Sequence, residues 1–229
     1  MLWDKWLARW KEFLDATDRL GGYVETPLEV DSPATEAEVA EVEEQLGFEL
    51  PSSFRQTLLG FSKRVHFRWD LYEERQPYKT LPEVVRGLGI GECSWDISKI
   101  VGLQDWYKDM ATVFAVPEDG IYAQDYQAQY FPTWQNKFAI IQMDNGDYIA
   151  IDPIAEGQPV IYLSCMENEY TGYRLGDDFI DFMDKWSLLG CPGSEIDAHL
   201  PFISSPTSGL EPFSENAKLW RDWFGVNLA

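Results

Sequence analysis

The sequence predicts an α+β domain, an antiparallel-dominated sheet with helices laid over one face. Three observations carry that expectation. Apolar residues recur at helical spacing near the start of the chain and again after residue 176. Apolar runs separated by glycine-containing turns occupy residues 138–163. The connections between those runs are too short for parallel crossovers, so neighbouring strands must run antiparallel.

Trp3, Trp6, Leu7, Trp10, Phe13 and Leu14 fall at i, i+3, i+4 and i+7, an amphipathic helix that Gly21 and Gly22 end. Its heavy apolar face is expected to pack on the domain. The next stretch, ATEAEVAEVEEQLGFELPSSFRQTLLGFS (residues 34–62), reads as two helices around a short break. Thr35 and Glu38 fit a capping box, each side chain satisfying an orphan amide at the helix start. Val39, Val42 and Leu46 line one face. Gly47 suits the left-handed stop, with Phe48 expected to fold back towards Val42 as in a Schellman motif. Pro51 opens the second helix at its first turn, where its missing N–H is harmless. Phe54, Leu58 and Phe61 make that helix's buried stripe.

VHFRWDL (residues 65–71) alternates, with Val65, Phe67, Trp69 and Leu71 on one face and His66, Arg68 and Asp70 on the other. Residues 73–134 carry no clear period. Within them LPEVVRGL suggests a short helix, SWDISKIVGLQDWYKDMA mixes periods, and DYQAQYFPTW reads as loop with short extended pieces. GLGIG (residues 87–91) reads as a flexible connection, because no strand–turn–helix frame surrounds it. FAIIQMDNGDYIAIDP is a hairpin around Asn145-Gly146, a pair that accepts positive φ at both central positions of a turn. QPVIYLS adds a third strand after a Glu156-Gly157 turn. GDDFIDFMDKWSLLG returns to helix with Phe179, Phe182, Met183 and Trp186 inward. Pro192, Pro201, Pro206 and Pro212 make the tail irregular until the short amphipathic NAKLWRDWFG. The organisation expected is an N-terminal amphipathic helix (1–23), the main domain (24–190) and a C-terminal extension (191–229).

Hydrophobic residues are 45% of the 229 and aromatics 15%, enough for a substantial core. Ten tryptophans are most simply core filling, though some serve well as half-exposed contact anchors. The formal net charge is -21, from 39 acidic and 18 basic residues. That field repels nucleic acid and anionic membranes, which argues against direct binding to either, and attracts basic partners. The plainer reading of the charge is solubility. Cys93, Cys165 and Cys191 are odd in number and form no C-x-x-C pair, which suits a reducing compartment. No apolar signal region opens the chain and no run nears the roughly 18 apolar residues of a membrane helix, so a cytoplasmic protein is expected.

The search for chemistry returns little. His66 and His199 are the only histidines, and H-E-x-x-H, G-x-S-x-G and P-loop patterns are absent. Asp144, Asp147 and Asp152 have the wrong order and spacing for a calcium loop. No catalytic residue, metal or cofactor is expected. Paired carboxylates for acid–base work can always be drawn in so acidic a chain; such a hydrolase would need a deep cleft with two close carboxyl groups.

The motifs, in their order, resemble the SUKH superfamily, an α+β domain named partly after a fungal cell-wall synthesis regulator. Leu46, Gly47, Leu50, Pro51, Phe54 and Leu58 match its opening pattern of acidic helix, Leu-Gly break, L-P pair and aromatic-led second helix. Gly146 and Asp147, followed by an apolar strand ending in Asp152, resemble its central hairpin. QPVIYLS and LGDDFIDFMDKW resemble its next strand and closing helix. The resemblance spans about Val24 to Leu189 and is poor in the middle. It implies a non-enzymatic protein-binding domain, since many bacterial members are immunity proteins that neutralise toxins, often nucleases, and eukaryotic members are regulators or adaptors. The leading expectation is an immunity protein holding a basic toxin. The contacts expected are Glu36, Glu38, Glu41, Glu43, Glu44, Asp144, Asp147, Glu167, Glu169, Asp177 and Asp178, with Tyr170 and Tyr173 as anchors. A regulatory adaptor for an endogenous protein is the second reading and a carboxylate hydrolase the third.

Overall fold

In the computed structural model, which describes residues 2–71, 80–86, 88–113, 130–143, 145–165, 168–193 and 195–227, the described residues form seven α-helices and seven strands. Their order is α1 (Leu2–Arg19), β1 (Tyr23–Val30), α2 (Glu36–Leu46), α3 (Ser52–Gly60), β2 (Arg64–Asp70), β3 (Ile90–Asp96) and α4 (Ile100–Val113). Then come β4 (Phe138–Gln142), β5 (Tyr148–Ile151), β6 (Val160–Leu163), β7 (Arg174–Gly176), α5 (Phe179–Ser187), α6 (Ile196–His199) and α7 (Glu215–Phe224). The α+β class is as expected, and every strand pair is antiparallel.

The strands form two sheets rather than one, β1-β2-β3 and β4-β5-β6-β7. β2 alternates as its sequence predicts, with Val65, Phe67 and Trp69 buried. The partners on either side were not legible. β1 is an edge strand with two register shifts, no fully buried residue and Pro27 inside it. β3 begins within the GLGIG run, so its described part is a strand start and not a flexible connection. Gly91 stands opposite Trp69, and a Cβ there would lie 2.1 Å from the indole. Only glycine lets that ring lie flat across the strand.

The second sheet is buried on both faces, a departure from the expected single covered face. Phe138, Ile140, Ile149, Ile151, Val160 and Tyr162 join the main core. Ala139, Tyr148, Ala150, Ile161 and Leu163 pack beneath α4 with Tyr107, Ala111 and Trp134. α4 also finishes the open edge of this sheet. The Gln104 side chain donates to the Ala139 carbonyl (2.6 Å) and accepts from its N–H (3.1 Å), as a neighbouring strand would.

Both ends of the chain belong to the main core. Trp6 and Trp10 pack around Phe61, Phe67 and Trp95. Arg9 donates to the Asp184 carboxylate (2.6 Å) and carbonyl (3.1 Å), pinning α1 to α5. Phe13 meets Phe224 of α7 at 5.1 Å, and Trp220 donates to the Leu189 carbonyl at 2.7 Å.

Local details settle several expectations about turns. The capping box of Thr35 and Glu38 is formed. Gly47 is left-handed at φ 78° and its N–H donates to the Glu43 carbonyl, the single-bond αL stop and not the Schellman pair. Phe48 stays exposed, its ring edge-on to Phe138 at 6.3 Å. Of the described turn residues Asn145 and Gly146, only Gly146 takes positive φ, at 90°, so the expected positive φ at both is not adopted. The Asn145 side chain accepts from the Asp147 N–H (3.0 Å). Pro51 opens α3 without a side-chain cap of its own; Gln158 supplies one from across the fold, accepting from the Ser52 N–H at 2.9 Å.

Candidate functional site

The acidic helix α2 is where outward charge was expected, and the structure divides its carboxylates into two kinds. Glu43 is half-buried: it accepts from the Leu50 N–H (2.9 Å) and pairs with the Arg55 guanidinium (3.3 Å), bracing the turn into α3. Glu38 serves the capping box and accepts from Lys63 at 2.7 Å. The lysine hydrogen bond and the Thr35 bonds hold its carboxyl down at about 2. Glu36 pairs with Arg55 at 2.6 Å while remaining largely exposed. Glu41 and Glu44 are exposed and make no ion pair among the described residues. These two are the free charges of the helix.

Asp147 faces the other way. It is 2% exposed and accepts from the Tyr162 hydroxyl (2.5 Å), the Cys165 N–H (2.7 Å) and the Asn145 amide (2.9 Å). A carboxylate with three donors is satisfied without a partner protein. Burial, then Asp147, pushes the Tyr162 hydroxyl far up and the Cys165 thiol up to about 11. Asp147 is thus removed from the outward-facing set, and its place in the hairpin motif is explained by this network. Asp144 and Glu167 lie outside the described residues.

The remaining expected contacts sit around β7. Glu169 is exposed; Tyr170 and Tyr173 are half-buried and edge-on to each other at 5.5 Å. Asp177 is exposed and pairs with Arg174 at 3.0 Å. Asp178 caps α5 by accepting from the Asp181 N–H at 2.8 Å. No described contact joins this group to α2. The matching motif residues Leu50, Pro51, Phe54 and Leu58 are buried and Leu46 half-buried, all in structural roles.

Two concave regions stand out. One, of 440 Å³, is mainly apolar, with Phe48, Tyr107, Phe138 and Ile154 on its walls and Lys108 and Lys137 among them. The other, of 420 Å³, lies where β3 approaches β4 and α4. Glu92 and Asp96 line it, together with Trp106. Glu92 is held by Arg68 at 2.9 Å, and Asp96 caps the turn at Ser98 (2.9 Å) with Arg64 at 3.8 Å. Sequence reading missed Trp106 because the surrounding segment mixes periods. A helix buried on one stripe by Ile100, Gln104, Tyr107 and Ala111 would have shown that Trp106 points elsewhere.

His66 sits on the outer face of β2, 3.9 Å from Glu92. His199 is fully buried between the rings of Tyr162 and Trp186, both 6.1 Å away, with neither ring nitrogen bonded. Burial depresses it to about 3, so it stays neutral. Among the described residues no three His, Cys, Asp or Glu side chains converge as metal ligands, and no helix is long and apolar enough to cross a membrane.

Comparison with known families agrees with this architecture. A family model described as SMI1/KNR4 family (SUKH-1) matches residues 33–185, from the turn before α2 to the last turn of α5. No curated protein gives a significant match.

Proposed function

The chain belongs to the SMI1/KNR4 family (SUKH-1), a family of immunity proteins and regulators, and from that membership we propose a non-enzymatic module that binds and neutralises a basic, nuclease-like toxin domain. The observation that carries the proposal is the net charge of -21, with Glu41 and Glu44 exposed and unneutralised on α2 and Asp177 and Glu169 exposed elsewhere. Such a surface competes with nucleic acid phosphate for a cationic face, and steering of this kind raises association to ~10⁸–10⁹ M⁻¹s⁻¹ at low salt.

The geometry of the acid-lined cleft favours binding over carboxylate hydrolysis. Glu92 and Asp96 are each held beside an arginine, so both carboxylates of the cleft are already engaged in ion pairs. A partner in the same cytoplasm as this chain follows from the immunity reading. The test is co-expression with a toxic basic domain encoded beside this gene. Cells survive with this chain present and die without it, and equal killing in both refutes the proposal. Association that slows steeply between 50 and 300 mM salt supports the electrostatic part, and a salt-independent rate removes it.

A further inference from the structure

Of the ten tryptophans, eight are buried, Trp3 is half-buried against Phe61, and Trp106 alone is mostly exposed, at 65%. Resting on the reading of a cationic protein partner, we infer that the outer stripe of α4 is where that partner docks, and that an arginine-bearing segment of it stacks on Trp106.

α4 carries two apolar stripes. The inner one is buried on the second sheet. The outer one runs Leu103, Trp106, Met110 and Val113, at helical spacing, with Leu103 and Met110 half-buried and Val113 exposed. Leu103 and Met110 also pack against the second core, but Trp106 and Val113 are 65% and 70% exposed, where a helix is ordinarily polar. The stripe is rimmed by carboxylates. Asp105 and Asp109 are exposed on the same helix, and Asp109 shares Trp106's side, three residues on. Beyond the indole, the 420 Å³ cleft presents Glu92 and Asp96. Lys99 and Lys108 are nearby, Lys108 3.7 Å from Asp105, while Arg68 holds Glu92 and Arg64 stands beside Asp96. Those arginines also serve Glu25, Glu29 and Asp31, so seven carboxylates against four cations leave the region acidic.

An exposed aromatic anchor within an apolar stripe, inside an acidic rim, is complementary to a cationic and partly apolar segment. Arginine fits better than lysine, because its planar guanidinium stacks on an indole face while donating to the carboxylates around it. Trp is also the residue type on which binding energy most often concentrates. By contrast α2 offers Glu41 and Glu44 with no apolar anchor between them, so it contributes to the field and not to the contact.

The experiment uses the full chain and three labelled 12-residue peptides: alternating Arg and Leu, alternating Lys and Leu, and alternating Glu and Leu. Affinity is measured by fluorescence anisotropy at 50 and 200 mM salt. Acrylamide quenching is recorded in parallel, since the exposed Trp106 dominates it, half-buried Trp3 adds a smaller share and the eight buried indoles respond little. The Arg peptide is expected to bind most tightly and to shield Trp106 from acrylamide. Trp106→Ala should weaken it by about tenfold or more, and Asp105→Asn/Asp109→Asn by about threefold, whereas Glu41→Gln/Glu44→Gln leaves it within twofold. All variants are at exposed positions, so folding is not at stake. Unchanged affinity in Trp106→Ala, or loss only in the α2 pair, overturns this docking surface and leaves the cationic-partner reading standing. Absence of any salt-dependent binding of the cationic peptides to the wild-type chain overturns both. A wild-type dimer in sedimentation that Trp106→Ala dissociates would make a second copy the occupant, and also overturns the inference.

Discussion

His199 gives the sharpest physical test of the interior. Its imidazole is fully buried, packed between Tyr162 and Trp186, and held neutral by burial at about 3 against an ordinary 6.5. An unfolded chain takes up a proton near pH 6.5, and the folded chain does so only near 3. This contribution to stability is therefore complete above 6.5 and is lost as pH falls towards 3. At pH 5.0 the unfolded imidazole favours its protonated form by about 30-fold while the folded one remains neutral, a difference of ~2 kcal/mol relative to pH 7.5. The many carboxylates also respond to pH, so the measurement is a difference of differences. Urea unfolding is run on the wild type and His199→Leu at pH 7.5 and at 5.0. Packing changes caused by leucine appear at both pH values and cancel. The variant is expected to gain ~2 kcal/mol on the wild type between the two pH values, with unchanged denaturant slopes. At pH 7.5 it should not suffer from a lost hydrogen bond, because neither ring nitrogen makes one among the described residues. A double difference under about 0.5 kcal/mol would show that the ring is protonated or hydrated in the native state and would refute the argument.

Glu38 should behave in the opposite sense of mechanism but the same direction of pH. Its carboxyl is held down at about 2 by Lys63 and Thr35, so the advantage of wild type over Glu38→Gln is full above about 4.5 and disappears as pH falls to about 2. Thermal melts at pH 6 and 2.5 that show an equal gap would contradict this. Gly91→Ala drives a methyl into Trp69, which is fully buried and tied to the Gly190 carbonyl at 2.9 Å. A loss of about 3 kcal/mol or insoluble protein is expected, and a loss under 1 kcal/mol would show that the indole can move aside. Asp147→Asn leaves one of three buried donors badly matched, for about 1–3 kcal/mol in urea unfolding. It also removes the negative charge that helps keep the Cys165 thiol up at about 11, so alkylation of Cys165 at pH 8 should speed up; an unchanged rate would assign the shift to burial alone.

What was legible in the sequence is what local chemistry decides. The capping box, the left-handed Gly47, the stripe of Phe54 and Leu58, and the Phe179–Trp186 face all follow from residues within one or two turns of each other. The division of the strands into two sheets, β1 and β3 do not. β1 alternates, with Val24, Leu28 and Val30 half-buried and Glu25 and Glu29 exposed, but none is fully buried and Pro27 inside the run argues against a strand. β3 hides behind glycine and cysteine, and its strand character depends on Trp69 of a different strand covering Gly91. Gln104 is a polar residue on a buried helical stripe, which breaks the helical period and explains why α4 was unreadable. Among the expected contacts, a list of carboxylates cannot separate Glu41 from Glu43 or Asp147 from Asp177. The difference lies in donors brought from elsewhere: Arg55, the Leu50 amide, Tyr162 and Cys165.

The family match ends at residue 185, yet the aromatic core does not. β2 and β3 lie inside the matched segment, and their inward residues Phe67, Trp69 and Trp95 are in ring contact with Trp10 of α1 or with Trp220 and Phe224 of α7. Without those two helices the inner face of the first sheet would present several large rings to water, far more apolar area than a soluble surface tolerates. α1 and α7 are therefore parts of the fold and not appendages, and they also restrict where a partner can bind. The inner face of the first sheet is closed by α1 and α7, and the main-core face of the second by the rest of that core. Among the surfaces left are the outer sides of α2 and α4 and the charged outer face of β2 and β3. Of these, α4 alone combines apolar area, an uncommitted tryptophan and acidic neighbours.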